Sequence, residues 1–167
     1  MSAILALLLL QVPDAGVPSH PLEGVWKLDL EKSTDTEPIL EKLGMSWFVR
    51  KAAKSIRPVH RIRMNEVNGA PTLFVEIDAT VSKKRFQLVL DGKTPTDDEF
   101  FGDACSFTTQ LENGVFVSKG RMKDDAKKAS IGLRRELLES GLMRYQISLL
   151  RDGLEPIVID RIFQRVK

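Results

Sequence analysis

The chain has 167 residues, the size of one domain, with 43% hydrophobic and 29% charged residues, as in an ordinary globular protein. Its 25 basic and 23 acidic residues leave a net charge of +2, too weak a bias to point to nucleic acid. Cys105 is the only cysteine, so no intrachain disulfide can form, and no CxxC, HExxH, glycine-rich phosphate loop or G-x-S-x-G elbow indicates a metal, a cofactor or a serine nucleophile.

Residues 3–10 are apolar without interruption. The run is shorter than the ~20 residues a membrane-spanning helix needs, but it suits the apolar region of a secretory signal. No Lys or Arg precedes it, and no clean small-x-small cleavage site follows. Residues 1–20 are therefore expected to be a signal-like or disordered leader, and residues 21–167 the folded domain. The expected location is secreted or periplasmic, with the cytoplasm as the alternative.

Residues 24–30 alternate and predict a first strand. Two short helices are expected next. Asp35, Glu37 and Pro38 suit a helix start, Ile39, Leu40 and Leu43 give it an apolar side, and Gly44 supplies a stop. Ser46 is placed to cap a second helix through Trp47, Phe48, Val49 and Ile56, ended by Pro58.

Everything beyond reads as strand: 57–66, 71–80, 83–90, one within 93–101, 104–111, 115–122, 129–138, 142–150 and 156–165. The punctuation is Asn68-Gly69, Asp91-Gly92, Asn113-Gly114, Ser140-Gly141 and Asp152-Gly153, pairs that supply the positive φ of tight hairpins. A meander of nine or ten strands has two edges, and closure into a barrel removes them. A barrel too wide for its own side chains to fill encloses a ligand cavity, and helices inserted after the first strand would sit over its open end.

Two arginines stand on apolar strand faces. Arg135 shares its parity with Ala129, Ile131, Leu133 and Leu137, and Arg161 with Ile157, Ile159 and Phe163. A guanidinium does not lose its charge, and burying one unpaired costs at least several kcal/mol. A bound anion would neutralise them; the alternatives are an outward direction or an interior carboxylate such as Glu76 or Asp78. Turns centred on Ser140 and Gly153 would set Tyr145 opposite Arg135 on one side and Arg161 on the other. With strands ~4.8 Å apart, the two guanidiniums could then meet over Tyr145 and hold a carboxylate.

Gly24-Val25-Trp26-Lys27-Leu28, the segment Leu43-Gly44-Met45-Ser46-Trp47-Phe48-Val49-Arg50-Lys51, Arg135-Glu136-Leu137 and the closing Arg161-Ile162-Phe163 occur in an order that resembles the fatty-acid-binding protein family of the calycin superfamily, over residues 22–166. The resemblance implies an all-β fold: a closed or nearly closed ten-stranded antiparallel up-and-down barrel with a two-helix lid after the first strand. It also implies a monomer that carries a long-chain fatty acid or similar anionic amphiphile without catalysis. By motif, Arg135 and Arg161 match the family's interior arginines. Many members end in R-x-Y; Phe163 removes that hydroxyl, so Arg135 becomes the primary carboxylate partner and Arg161 the secondary one, with Tyr145 as the substitute hydroxyl inferred from register. The acyl chain is expected against Phe48, Phe74, Phe86, Leu133, Ile147 and Phe163. A basic lid of Arg50, Lys51 and Lys54 would touch anionic membranes.

Two other readings compete. A lipocalin-like carrier of another small hydrophobic ligand shares the barrel, but the paired helices and the lack of a disulfide count against it. An enzyme would need more than the acidic run Asp97, Asp98 and Glu99 with Asp103, which no nucleophile-base pair accompanies.

Overall fold

Every apolar strand in this chain finds its partner in the strand before or after it. In a computed structural model, which describes residues 20–124 and 128–166, ten strands form a single antiparallel sheet. They are β1 (Gly24–Asp29), β2 (Val59–Val67), β3 (Ala70–Asp78), β4 (Lys83–Val89), β5 (Thr96–Phe100), β6 (Asp103–Glu112), β7 (Val115–Met122), β8 (Ala129–Leu137), β9 (Met143–Arg151) and β10 (Ile157–Arg165). The order β4-β3-β2-β1-β10-β9-β8-β7-β6-β5 brings the last strand back beside the first. This is the nearly closed up-and-down barrel anticipated from the meander. The signal-like leader lies outside the described residues, apart from His20.

The turns show why the chain reverses where it does. Asn68-Gly69 and Asn113-Gly114 both place two successive residues at positive φ (53° and 78°, 50° and 80°), the conformation of two-residue hairpins that match strand twist. Asp91-Gly92 behaves differently. The Asp91 carboxylate accepts from the backbone N–H of Lys93 and Thr94 and from the Thr94 hydroxyl, and Gly92 N–H bonds Thr109. The segment is thus committed to its own turn and to β6, and β4 and β5 are left without a ladder between them. Side chains bridge this gap: the Lys84 ammonium donates to the Glu99 carbonyl at 3.0 Å and lies 3.5 Å from Asp98.

Helices α1 (Glu37–Lys42) and α2 (Trp47–Ala53) follow β1. Ile39, Leu40 and Leu43 are buried, as the pattern predicts. Gly44, at φ 76°, ends α1 with two bonds, Gly44 N–H to Glu41 and Met45 N–H to Leu40, the paired closure that a left-handed residue allows. Ser46 caps α2 by accepting from Val49 N–H. The second helix ends at Ala53, short of the predicted Pro58, and the chain leaves it in a turn in which Ser55 N–H bonds the Ala52 carbonyl and Ile56 N–H the Ala53 carbonyl.

The core divides into two clusters. At one end Leu22, Trp26, Ile62, Leu73, Phe116, Met143 and Phe163 close the barrel. There Trp26 Nε1 donates to the Leu22 carbonyl at 2.8 Å, and the Arg165 guanidinium lies 4.3 Å from the indole centroid. The other cluster joins α1 to the barrel through Ile39, Phe107, Ile131, Ile147 and Ile159.

Candidate ligand-binding site

Between these clusters lies an interior cavity. Its apolar lining includes Ile77, Phe86, Leu88, Phe100, Phe107, Leu133 and Ile147, and its polar lining Lys84, Thr96, Asp98, Glu99, Ser118, Arg135 and Tyr145. Phe107 reaches this position because Gly120 stands opposite it: a Cβ there would meet the Phe107 ring at 2.3 Å.

The predicted registers hold. Arg135 pairs with Tyr145 across β8 and β9, and Tyr145 with Arg161 across β9 and β10. The guanidinium of Arg135 lies 4.1 Å from the Tyr145 ring centroid, within cation–π range. Arg135 is 4% exposed and its Nε has no hydrogen-bond partner among the described residues. Burial pushes the Tyr145 phenol above its ordinary pKa, while the Arg135 charge pulls it back.

Arg161 does something else. It is 9% exposed, and its Nη1 donates to the Thr34 carbonyl at 2.7 Å. Thr34 returns a second tie, its N–H bonding the Asp160 carbonyl at 2.8 Å. Burial lowers the Arg161 pKa, and the Asp35 carboxylate acts against that. Arg161 therefore anchors the segment between β1 and α1 and is not among the residues lining the cavity.

The interior carboxylates weighed as partners are elsewhere. Glu76 faces outward between Arg61 at 3.0 Å, Arg85 at 2.9 Å and Lys83 at 3.2 Å. Hydrogen bonds from Arg85 and Lys83 hold its carboxyl down at about 2. Asp78 stands 3.9 Å from Arg61 in the same outer group.

Of the predicted chain contacts, Phe86, Leu133 and Ile147 line the cavity. Three do not. Phe48 is 78% exposed on α2. Phe74 has the parity opposite to Leu73, Val75 and Ile77, and lies outside with Arg61, Arg63 and Arg85. Phe163 is packed in the closing cluster beside the His60 ring, 4.4 Å away. The basic side chains of the lid have local partners. Arg50 lies 3.5 Å from Glu37 and 3.6 Å from Glu41, and Lys54 pairs with Asp35 and Glu37. Lys51 sits 5.4 Å over the Trp47 ring.

Sequence reasoning missed Lys84, Thr96, Asp98, Phe100, Phe107 and Ser118 as lining residues. Phe107 was accessible, since it alternates with Cys105 and Thr109 on the buried face of β6. Ser118 is masked by its pairing with Thr109 at 2.9 Å, which satisfies both hydroxyls inside the wall. Cys105 is buried, donates to the Asp98 carbonyl, and has its thiol pushed up to about 11, mainly by burial, so it is an unreactive wall residue.

No protein-family model and no curated protein matches the chain. Solved structures do. The chain is similar to Echinococcus granulosus fatty-acid-binding protein 1, with 18% identity and a TM-score of 0.69 over 88% of this chain and 98% of that one. It is similar to a Schistosoma mansoni fatty acid binding protein in complex with arachidonic acid, with 15% identity and a TM-score of 0.68 over 88% and 97%. It is similar to Caenorhabditis elegans lipid binding protein 8, with 20% identity and a TM-score of 0.66 over 87% and 96%. At these identities the likeness is one of fold: the chain has the barrel of the fatty-acid-binding proteins.

Proposed function

We propose that this protein binds and carries a fatty acid or similar anionic amphiphile inside the barrel, without chemistry. The observation that carries this reading is Arg135. A permanently charged side chain is buried at the wall of a largely apolar cavity, stacked on Tyr145, with no ion-pair partner among the described residues, while Asp98 on the same lining is paired with Lys84. A carboxylate accepts charge-assisted bonds from a guanidinium and a phenol, and an acyl chain fits the remaining lining of Phe86, Phe100, Phe107, Leu133 and Ile147. The arachidonic acid bound by the Schistosoma protein supports the same class of ligand in a barrel of this fold.

Calorimetry with oleate tests it. Arg135→Ala is expected to weaken binding by more than ~1.5 kcal/mol, the scale of a hydrogen bond to a charged group. Equal affinity in wild type and Arg135→Ala would remove the carboxylate from this position.

A further inference from the structure

We propose that His60, which stands next to Tyr145 outside the cavity lining proper, is electrostatically coupled to the headgroup position and takes up one proton when an anion settles beside Arg135. The inference rests on the binding reading above. His60 lies on the buried face of β2 with Ile62 and Met64. It is 2% exposed, and its Nδ1 has no hydrogen-bond partner among the described residues. Arg135 Nε is in the same condition. One side chain, Tyr145, stands next to both: its ring centroid is 4.1 Å from the guanidinium and 5.6 Å from the imidazole centroid. Two buried, unsatisfied nitrogens therefore stand next to one phenol ring.

The groups around His60 leave Arg135 as its electrostatic control. The cross-strand partners are Trp26 on β1 and Ile77 on β3, neither of which titrates. From β10 comes Phe163, packed on the imidazole. From β9 comes the Tyr145 phenol, and from β8 the Arg135 charge. Burial and that charge together hold the imidazole neutral, well below its ordinary pKa of 6.5. An anion beside Arg135 offsets that repulsion. The imidazolium then has two N–H donors where the neutral ring has one. Headgroup binding and protonation of His60 therefore favour each other, and by linkage the affinity for an anionic amphiphile rises as pH falls through the liganded pKa of His60 and levels off below the unliganded one, by at most tenfold per unit for one proton.

The test is a pair of NMR titrations on the wild-type protein with oleate labelled at its carboxyl carbon. The carboxyl shift reports whether bound oleate remains ionised, and the imidazole Cε1–H shift reports the charge on His60. The expected result is ionised bound oleate with the His60 midpoint moved upward from its unliganded value, and a pH-dependent affinity that flattens in His60→Phe. Ionised oleate bound beside a His60 that stays neutral would overturn the inference and leave the carrier reading standing. Absence of oleate binding would overturn the carrier reading and this inference with it.

Discussion

At the scale of single residues, two buried arginines that look alike along the chain have separate duties. Arg135 ends at a cavity wall with its Nε unsatisfied, whereas Arg161 ends on a backbone carbonyl 127 positions away. Arg161→Ala is therefore expected to destabilise the fold by about 2 kcal/mol, the range for losing a charged buried hydrogen bond, while oleate affinity changes less than twofold. Urea unfolding and calorimetry on the same variant check both halves. A large loss of affinity at unchanged stability would put Arg161 back in the site. The burial of both arginines and their place beside Tyr145 was legible in the sequence, because strand parity and turn position determine it. The acceptor for Arg161 was not, since Thr34 reaches it only through tertiary folding. Phe74 could have been read correctly: Leu73, Val75 and Ile77 claim the inner parity, and aromatic character alone suggested otherwise.

At the scale of elements, the sequence showed all ten strands and both helices, and lost information where the chain departs from hairpin logic. Asp91-Gly92 has the composition of a tight hairpin, yet Asp91 spends its carboxylate on Lys93 and Thr94, and β4 and β5 separate. The departure matters because the cavity lining includes residues of both edges, Lys84 and Phe86 on one and Thr96 to Phe100 on the other. Lys84 holds the edges together through Glu99 and Asp98, with the Thr96 hydroxyl bonded to the Gln87 carbonyl as a weaker tie at 3.5 Å. Partly exposed, this latch contributes little to global stability, on the order of 0–1 kcal/mol. Its effect should be local. Lys84→Ala is expected to speed hydrogen exchange at β4 and β5 amides severalfold with the exchange of β8 and β9 unchanged, measured by mass spectrometry after short labelling. Uniform protection across all four strands would show that the gap does not depend on Lys84.

At the scale of the whole molecule, burying a neutral histidine makes stability depend on pH before any carboxylate titrates. The unfolded chain binds a proton at His60 near the ordinary value of 6.5, and the folded protein binds it only at a much lower pH. Between those two values the unfolded state holds more protons, so stability is full above 6.5 and falls as the pH drops, by at most about 1.4 kcal/mol per unit for one group. His20, also lowered by burial, adds to the loss in the same direction. Glu76 and Asp91, both near 2 in the folded state, contribute only at lower pH, where their unfolded counterparts begin to protonate. Urea midpoints of the unliganded protein are thus expected to decline from pH 7 to 5 and decline again below about pH 4.5. His60→Phe should remove most of the first decline and keep the second, since the ring it replaces already packs against Phe163. His20→Gln should leave most of the first decline in place. Superimposable profiles for wild type and His60→Phe between pH 7 and 5 would mean that His60 is not held neutral by the fold. Bound oleate is expected to reduce the first decline in the wild type, because the anion that offsets Arg135 also stabilises the imidazolium. The same histidine then limits the unliganded barrel in mild acid and strengthens its hold on an anionic ligand there.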